Sequence, residues 1–342
     1  MYIGRVNQSP SHPAPHKVVF LRSLGSLIVA MCFVEIALIG FLGRAGYPDF
    51  DFNYFYVAGK SLLAHQSPYD IASYANLFRR YGLRFNGDPF VYPPQFALFR
   101  ITAALLDHRL AAFFLQGINL IATFALAAVT VLFVTKALVR RLTSSMELTK
   151  WALPILILAF PYTSLMIELG SITNIIVLLC CSAWYFSSRR SDVAAGLCLG
   201  LATVKPHYVL FITLYLLLER RWRLIGTASL ISLLLFYLSS FFITPLIGVT
   251  GWWTAASSYA NSELNRPGSR WVMGIPSMLS AVGVHVPSQS QLYALGLIMV
   301  AVLWLTRRCL QRDDILAVLV LIQFSLYAKY DEMIFLAPVL VS

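Results

Sequence analysis

The chain has 342 residues, 58% of them hydrophobic and only 12% charged, about half the share of charge in an ordinary soluble domain. Apolar runs close to or beyond the ~20 residues that cross a ~30 Å hydrocarbon core recur along its whole length, which excludes a soluble enzyme. The formal charge of +11 belongs to short Lys and Arg clusters between those runs, where it orients spans, so no nucleic-acid partner is implied. Stretches such as 155–160 and 175–181 do not alternate polar and apolar side chains, and a membrane β-barrel is excluded as well. The expected architecture is an all-α polytopic membrane protein of about nine or ten spans. Cys32, Cys180, Cys181, Cys198 and Cys309 lie within or at the ends of apolar segments without metal-ligand spacing, and read as small buried hydrophobes.

Residues 1–17, rich in Ser, Pro and His, read as a disordered cytoplasmic tail, and residues 18–342 as a single transmembrane domain. Arg5, Lys17 and Arg22 set the start of the first span, 18–43, in the cytoplasm. Its 24–42 core is too long for a signal peptide and is expected to stay attached. Residues 44–109 form a first external loop with its juxtamembrane segments. The loop carries Asp49, Asp51, Asp70 and Asp88, with turn signals at Ser67-Pro68 and Asn86-Gly87-Asp88-Pro89. Two amphipathic surface helices are predicted in it, over 54–64 and over 71–81, the second with Tyr74, Leu77, Phe78 and Tyr81 on one face. The stretch 96–106, interrupted by Arg100, is expected to dip into the membrane without crossing.

Later spans are predicted at 110–137, 151–167, 172–186, 193–204, 207–218, 224–247, 292–305 and 315–329. They leave four basic connections on one side: Lys136 to Lys150, Arg189/Arg190, Arg220/Arg221/Arg223 and Arg307/Arg308/Arg312. A second external stretch, 250–290, holds Trp252, Trp253, Arg266, Arg270 and Trp271 and reads as interfacial. Residues 333–342 are apolar but too few to cross; they are expected to pack as a half-helix or to continue in a longer chain.

On this topology Asp49, Asp51, Asp70, Asp88, Glu168, Lys205, His207, Glu263, Lys329, Asp331 and Glu332, with several arginines, face the external side. A carboxylate beside a membrane surface, among aromatic rings, loses solvation and can act as general base toward a hydroxyl. A Lys at the same depth can hold a lipid phosphate. Together they suggest sugar transfer from a lipid-phosphate donor.

Several segments then resemble one family in the same order along the chain. They are Asp51-Phe52-Asn53-Tyr54-Phe55-Tyr56-Val57-Ala58, Ser67-Pro68-Tyr69-Asp70, Phe90-Val91-Tyr92-Pro93-Pro94, Glu168 to Asn174, Ala195-Gly196-Leu197 through Lys205-Pro206-His207, and Tyr330-Asp331. This set resembles glycosyltransferase family 87, a branch of the C-type glycosyltransferases, over about residues 18–335. The resemblance implies a C-type helical bundle that moves a sugar, most often mannose, from a polyprenyl-phosphate donor to a glycan or glycolipid acceptor. It implies an extracytoplasmic active site and a bacterial inner membrane as the location. It also implies Asp51 as the base of an inverting displacement, which needs no second carboxylate as nucleophile. Where the family commonly has Gly-Gln, this chain has Gly170-Ser171, and no His accompanies Tyr330-Asp331.

Substrate-binding candidates are Lys205, His207, Asp49, Glu168, Tyr54 and Asp331. Each has a bland alternative. Asp51 can cap the helix that follows it, and Asp49 with Asp51 can be read as a metal pair. Lys205 can snorkel to headgroups. His207 and Glu168 can merely line a cavity, and the tyrosines and tryptophans can form an interfacial belt. Asp70 and Asp88 read as turn residues. No nucleotide or redox cofactor is expected, because the sugar arrives activated; the metal reading of the aspartate pair is disfavoured because the chain has no nucleotide-binding sheet, and a metal requirement stays open. The competing functions are a transporter or flippase of lipid-linked sugars and a non-catalytic scaffold of the same fold. A transporter would show matching halves, which this sequence does not.

Overall fold

The computed structural model describes residues 51–141, 169–262, 272–310, 312–326 and 328–329, apart from positions 263–271, where only 265 and 269 are described, and single positions before 169. The tail, the predicted span at 18–43, most of the one at 151–167 and residues 333–342 lie outside the described residues. Within them stand twelve α-helices and one two-residue strand pair. Three segments, His108–Val129, Trp222–Ser239 and Gln289–Cys309, are long and apolar enough to cross a membrane.

Helix α1 is Asp51–Leu63 and α2 is Ile71–Arg80. Asp70 starts α2 as its N-cap, accepting hydrogen bonds from the Ala72 N–H and the Ser73 hydroxyl. Helix α2 is amphipathic as predicted, burying Tyr74, Leu77 and Phe78, although Tyr81 is exposed. Helix α1 departs from the surface-helix expectation. Its Phe, Tyr and Val side chains leave several faces, and nine of its thirteen residues are buried. A helix apolar on more than one side is stable only when enclosed, and here α2, the Phe90–Phe96 segment and α3 enclose it.

Helix α3, Ala97–Leu105, has nine residues, a rise of about 14 Å. That is too short to cross, as the dip at 96–106 predicts. Helix α4, His108–Arg141, runs 34 residues from a cap in which the Asp107 carboxylate accepts from the Arg109 and Leu110 N–H groups.

Four helices form the middle of the bundle: α5, Thr173–Ser188; α6, Asp192–Ala202; α7, Pro206–Leu218; and α8, Trp222–Ser239. Gly196 and Gly200, one turn apart on α6, let α8 approach closely. A Cβ on Gly200 would lie 2.8 Å from Ile231 Cβ and 2.9 Å from the Ala228 carbonyl, the small-residue contact typical of membrane helix pairs. Helices α5 and α7 end in αL turns whose C′ residues, Arg190 and Arg220, have φ of 59° and 57°, a position that favours glycine.

Helix α8 stops at Ser239 rather than continuing to 247, and α9, Pro245–Ala260, starts afresh. Pro245 lacks the N–H that would extend a helix but fits the first position of a new one. Beyond it come strand β1, Val272–Met273, and the helices α10, Ile275–Ala281, α11, Gln289–Thr306, and α12, Arg312–Leu326. The predicted last span also ends early, at Leu326. Strand β2, Ala328–Lys329, pairs antiparallel with β1, setting Lys329 opposite Val272. Large apolar side chains remain exposed on the long helices, among them Phe114, Ile121, Leu233 and Ile298, as lipid-facing surfaces require. Cys180 and Cys181 are buried as expected, whereas Cys309 is exposed on a 3₁₀ turn.

Candidate functional site

Helices α6 and α7 have eleven and thirteen residues, lengths of about 16 and 20 Å. They leave and return to the same end of the bundle, because the ends of α5, α6, α7 and α8 meet there: Arg221 bonds the Asp192 carboxylate and the Ser187 carbonyl. The turn between α6 and α7 therefore lies well inside the bundle, and Lys205 stands at it. Lys205 is thus enclosed by the bundle rather than free to snorkel toward headgroups. Its side chain is 7% exposed, and its ammonium donates to Thr173 Oγ1 at 2.8 Å.

Thr173 opens α5 and belongs to a buried polar network. Its hydroxyl is 3.0 Å from that of Ser171, Asn119 of α4 donates to the Ser171 carbonyl at 2.7 Å, and Asn174 donates to Thr123 at 2.9 Å. Ser171, at the place where Gln was expected, thus works through its neighbour to seat the Lys205 amine. The Asn119 and Asn174 carbonyl oxygens are buried without a hydrogen-bond partner among the described residues, which leaves two acceptors of this network open to a ligand or water.

The segment between α2 and α3 reaches this turn. Gln95 Nε2 lies 3.5 Å from the Thr203 carbonyl, and the Tyr92 ring centre is 5.8 Å from Lys205 Nζ. Tyr92 is fixed from the other side by Tyr69, whose hydroxyl donates to its carbonyl at 2.8 Å. The adjacent Val91 carbonyl accepts from Trp252 Nε1 at 3.0 Å. This gives Trp252 an anchoring role, while Trp253, 67% exposed, fits the interfacial belt.

Beyond Tyr92 is Arg100, 1% exposed. Its guanidinium carbon lies 3.5 Å from the Phe96 ring centre, 4.3 Å from those of Phe55 and Phe90, and 4.9 Å from that of Tyr92. None of its three side-chain nitrogens has a hydrogen-bond partner among the described residues. Burial pulls its pKa down to about 9, opposed by Tyr92, Tyr74, Tyr69 and the Asp51 carboxylate, so the group stays charged at neutral pH. One tyrosine ring thus lies close to two buried cations. Arg100 was visible in the sequence as a charge in an apolar run, but Thr173 and Asn119 carried no signal beyond being polar.

Asp51 is the first residue of α1 and half-buried, and it is coupled electrostatically to Arg100. Its carboxylate makes no hydrogen bond to a described backbone N–H, so no cap engages it there. His207 is half-buried in the first turn of α7, its ring 4.4 Å from that of Tyr208. Tyr54 is corrected to a packing residue. It is 8% exposed, ringed by Tyr74, Phe78 and Phe85, and its oxygen accepts from the Asn86 N–H, leaving no face for a sugar. Burial raises its phenol to about 12. Asp49, Glu168, Asp331 and Trp271 lie outside the described residues. Among the described residues no group of three or more His, Cys, Asp or Glu could hold a metal.

A helical membrane bundle with buried cations under an aromatic loop defines the class in which this chain falls. A family model for glycosyltransferase family 87 matches residues 90–328, and the chain belongs to that family, whose members are membrane glycosyltransferases. The match takes in Arg100, Glu168, Lys205 and His207, whereas Asp49, Asp51, Tyr54 and Asp331 fall outside it. No curated protein and no solved structure matches the chain.

Proposed function

We propose that the protein transfers a sugar, with mannose the expected one, from a polyprenyl-phosphate donor to an acceptor hydroxyl on the extracytoplasmic face. The observation that carries this reading is the buried Lys205 ammonium, held by Thr173 at the turn between two short helices and reached by the external loop. An ammonium at a helix N-terminus gains nothing from the helix dipole. A bound phosphate would be attracted by both, which gives the cation a reason to be there.

In the proposed step the acceptor oxygen attacks the anomeric carbon while its proton passes to the Asp51 carboxylate. The bond from that carbon to the phosphate oxygen breaks, and the lipid phosphate leaves carrying the charge that Lys205 meets. Attack opposite the leaving group inverts the anomeric centre. His207, Glu168, Asp49 and Asp331 remain candidates for holding the sugar or the acceptor. The step as written draws on no nucleotide and no redox cofactor, because the sugar arrives activated on its phosphate.

The test is the full-length protein in detergent, incubated with radiolabelled polyprenyl-phosphate mannose and a mixed lipid extract, with wild type set beside Asp51→Asn and Asp49→Asn. Label should pass to a new product with wild type and with Asp49→Asn, and not with Asp51→Asn. Equal loss at both aspartates, or none at Asp51, contradicts the base. Donor binding without transfer by folded wild type, with acceptor supplied, contradicts the transferase reading and points to flipping.

A further inference from the structure

The end of the bundle away from the Lys205 turn carries its own cavity. It has a volume of about 500 Å³, inside the roughly 300–1,000 Å³ range of small-ligand sites. Four arginines line it, Arg220, Arg221, Arg307 and Arg312, together with Glu219 and Trp304. They come from the α7–α8 connection and from the segment joining α11 to α12, which are distant in sequence.

Two of the four charges are neutralised and ordered. Arg221 pairs with Asp192, and Arg312 lies 3.6 Å from Glu219 and donates to Ser187 Oγ at 2.9 Å. Arg220 and Arg307 have no carboxylate partner among the described residues. Arg307 is stacked on Trp304 with its guanidinium carbon 4.1 Å from the ring centre, and the indole N–H of Trp304 is buried without an acceptor among the described residues. An orientation signal requires positive charge in a connection, but it requires neither convergence nor fixed geometry.

The backbone at Arg220 adds to this. Its N–H bonds Leu217 at 2.9 Å and that of Arg221 bonds Leu216 at 3.1 Å, closing a Schellman turn whose left-handed residue costs a side chain about 1 kcal/mol relative to glycine. The chain carries a cation where the backbone favours none, and that cation lines the cavity. Beside it α11 presents Val302 and Leu305, 52% and 68% exposed, an apolar flank suited to acyl chains.

We propose that this cavity binds the phosphate of an anionic phospholipid headgroup, with Arg220 and Arg307 supplying the uncompensated charge and the α11 flank carrying the chains. Phosphate recognition is shared with free inorganic phosphate, and the apolar flank assigns the source to lipid.

The full-length protein, delipidated in detergent, would be titrated by native mass spectrometry with phosphatidylglycerol, phosphatidylethanolamine and inorganic phosphate. Phosphatidylglycerol should be retained at least about tenfold over phosphatidylethanolamine, at roughly 1 kcal/mol per arginine. Arg220→Gly, which relieves the backbone, should weaken retention several-fold without lowering the melting temperature, and adding Arg307→Gln should weaken it further. Arg190→Gly, with the same backbone conformation outside the cavity lining, should change nothing and separates a built site from bulk charge. Equal retention of the two lipids by wild type, or equal weakening by Arg190→Gly and Arg220→Gly, overturns the proposal. Inorganic phosphate competing as well as phosphatidylglycerol overturns the lipid assignment.

Discussion

Arginines are buried or half-buried at both ends of the bundle, and they are handled in opposite ways. Under the loop that joins α2 to α3, Arg100 is enclosed by four aromatic rings with no hydrogen-bond partner among the described residues. At the other end Arg221 and Arg312 each meet a carboxylate, and both also bond Ser187. A charge removed from water is tolerated when attraction repays its lost hydration. Ring quadrupoles at the loop repay part of it without neutralising the charge, whereas carboxylates at the basic end repay it by cancelling the charge. The loop end therefore keeps the full charge of Arg100, whereas at the basic end Arg221 and Arg312 are spent on order and Arg220 and Arg307 keep theirs.

The largest effect that would sharpen this contrast is on chemistry. Asp51→Asn should lower transfer by about 100- to 10,000-fold, the range for a general base, with thermal stability unchanged; melting curves alongside the radiolabel assay check both. The two ends are coupled through α6, so Gly200→Val, which forces α8 away, should cost about 1–3 kcal/mol and loosen the Lys205 turn, read as a lower melting temperature together with weaker donor binding.

The contrast itself is tested by a matched pair. Arg221→Met leaves Asp192 half-buried without its partner and should destabilise by about 1–2 kcal/mol. Arg100→Met removes a charge with no pair to break and should leave stability level or higher while donor binding falls. If both variants unfold the protein alike, the distinction between the ends fails. The smallest effect is expected at Asp70→Ala, which removes the α2 cap at a cost of about 1 kcal/mol, measurable by denaturant titration with activity retained.

Much of this was legible beforehand. Tyr74, Leu77 and Phe78 at helical spacing marked α2, and the basic connections at Arg189, Arg220 and Arg307 were rightly grouped at one end. The enclosure of α1 was not legible, because aromatic residues on several faces show that a helix needs cover but not what covers it. The break after Ser239 was marked by Pro245, yet the apolar run continued across it and outweighed the proline. Lys205 was found by its type and its neighbours. Its depth was not, since that follows from the shortness of α6 and α7, and spacing in sequence places helix ends only to within a turn.

The shortness of those two helices has an electrical consequence. Where the start of α6 marks the boundary of the ~30 Å core, a cation roughly 16 Å from it sits about halfway through any voltage across the membrane. Moving a unit charge over the full drop takes about 2.3 kcal/mol per 100 mV, so an anion that settles beside Lys205 does work of about 1 kcal/mol. Occupancy of that position then changes roughly fivefold for each 100 mV, and an enzyme assayed in detergent, where no voltage exists, reports only its unpolarised limit.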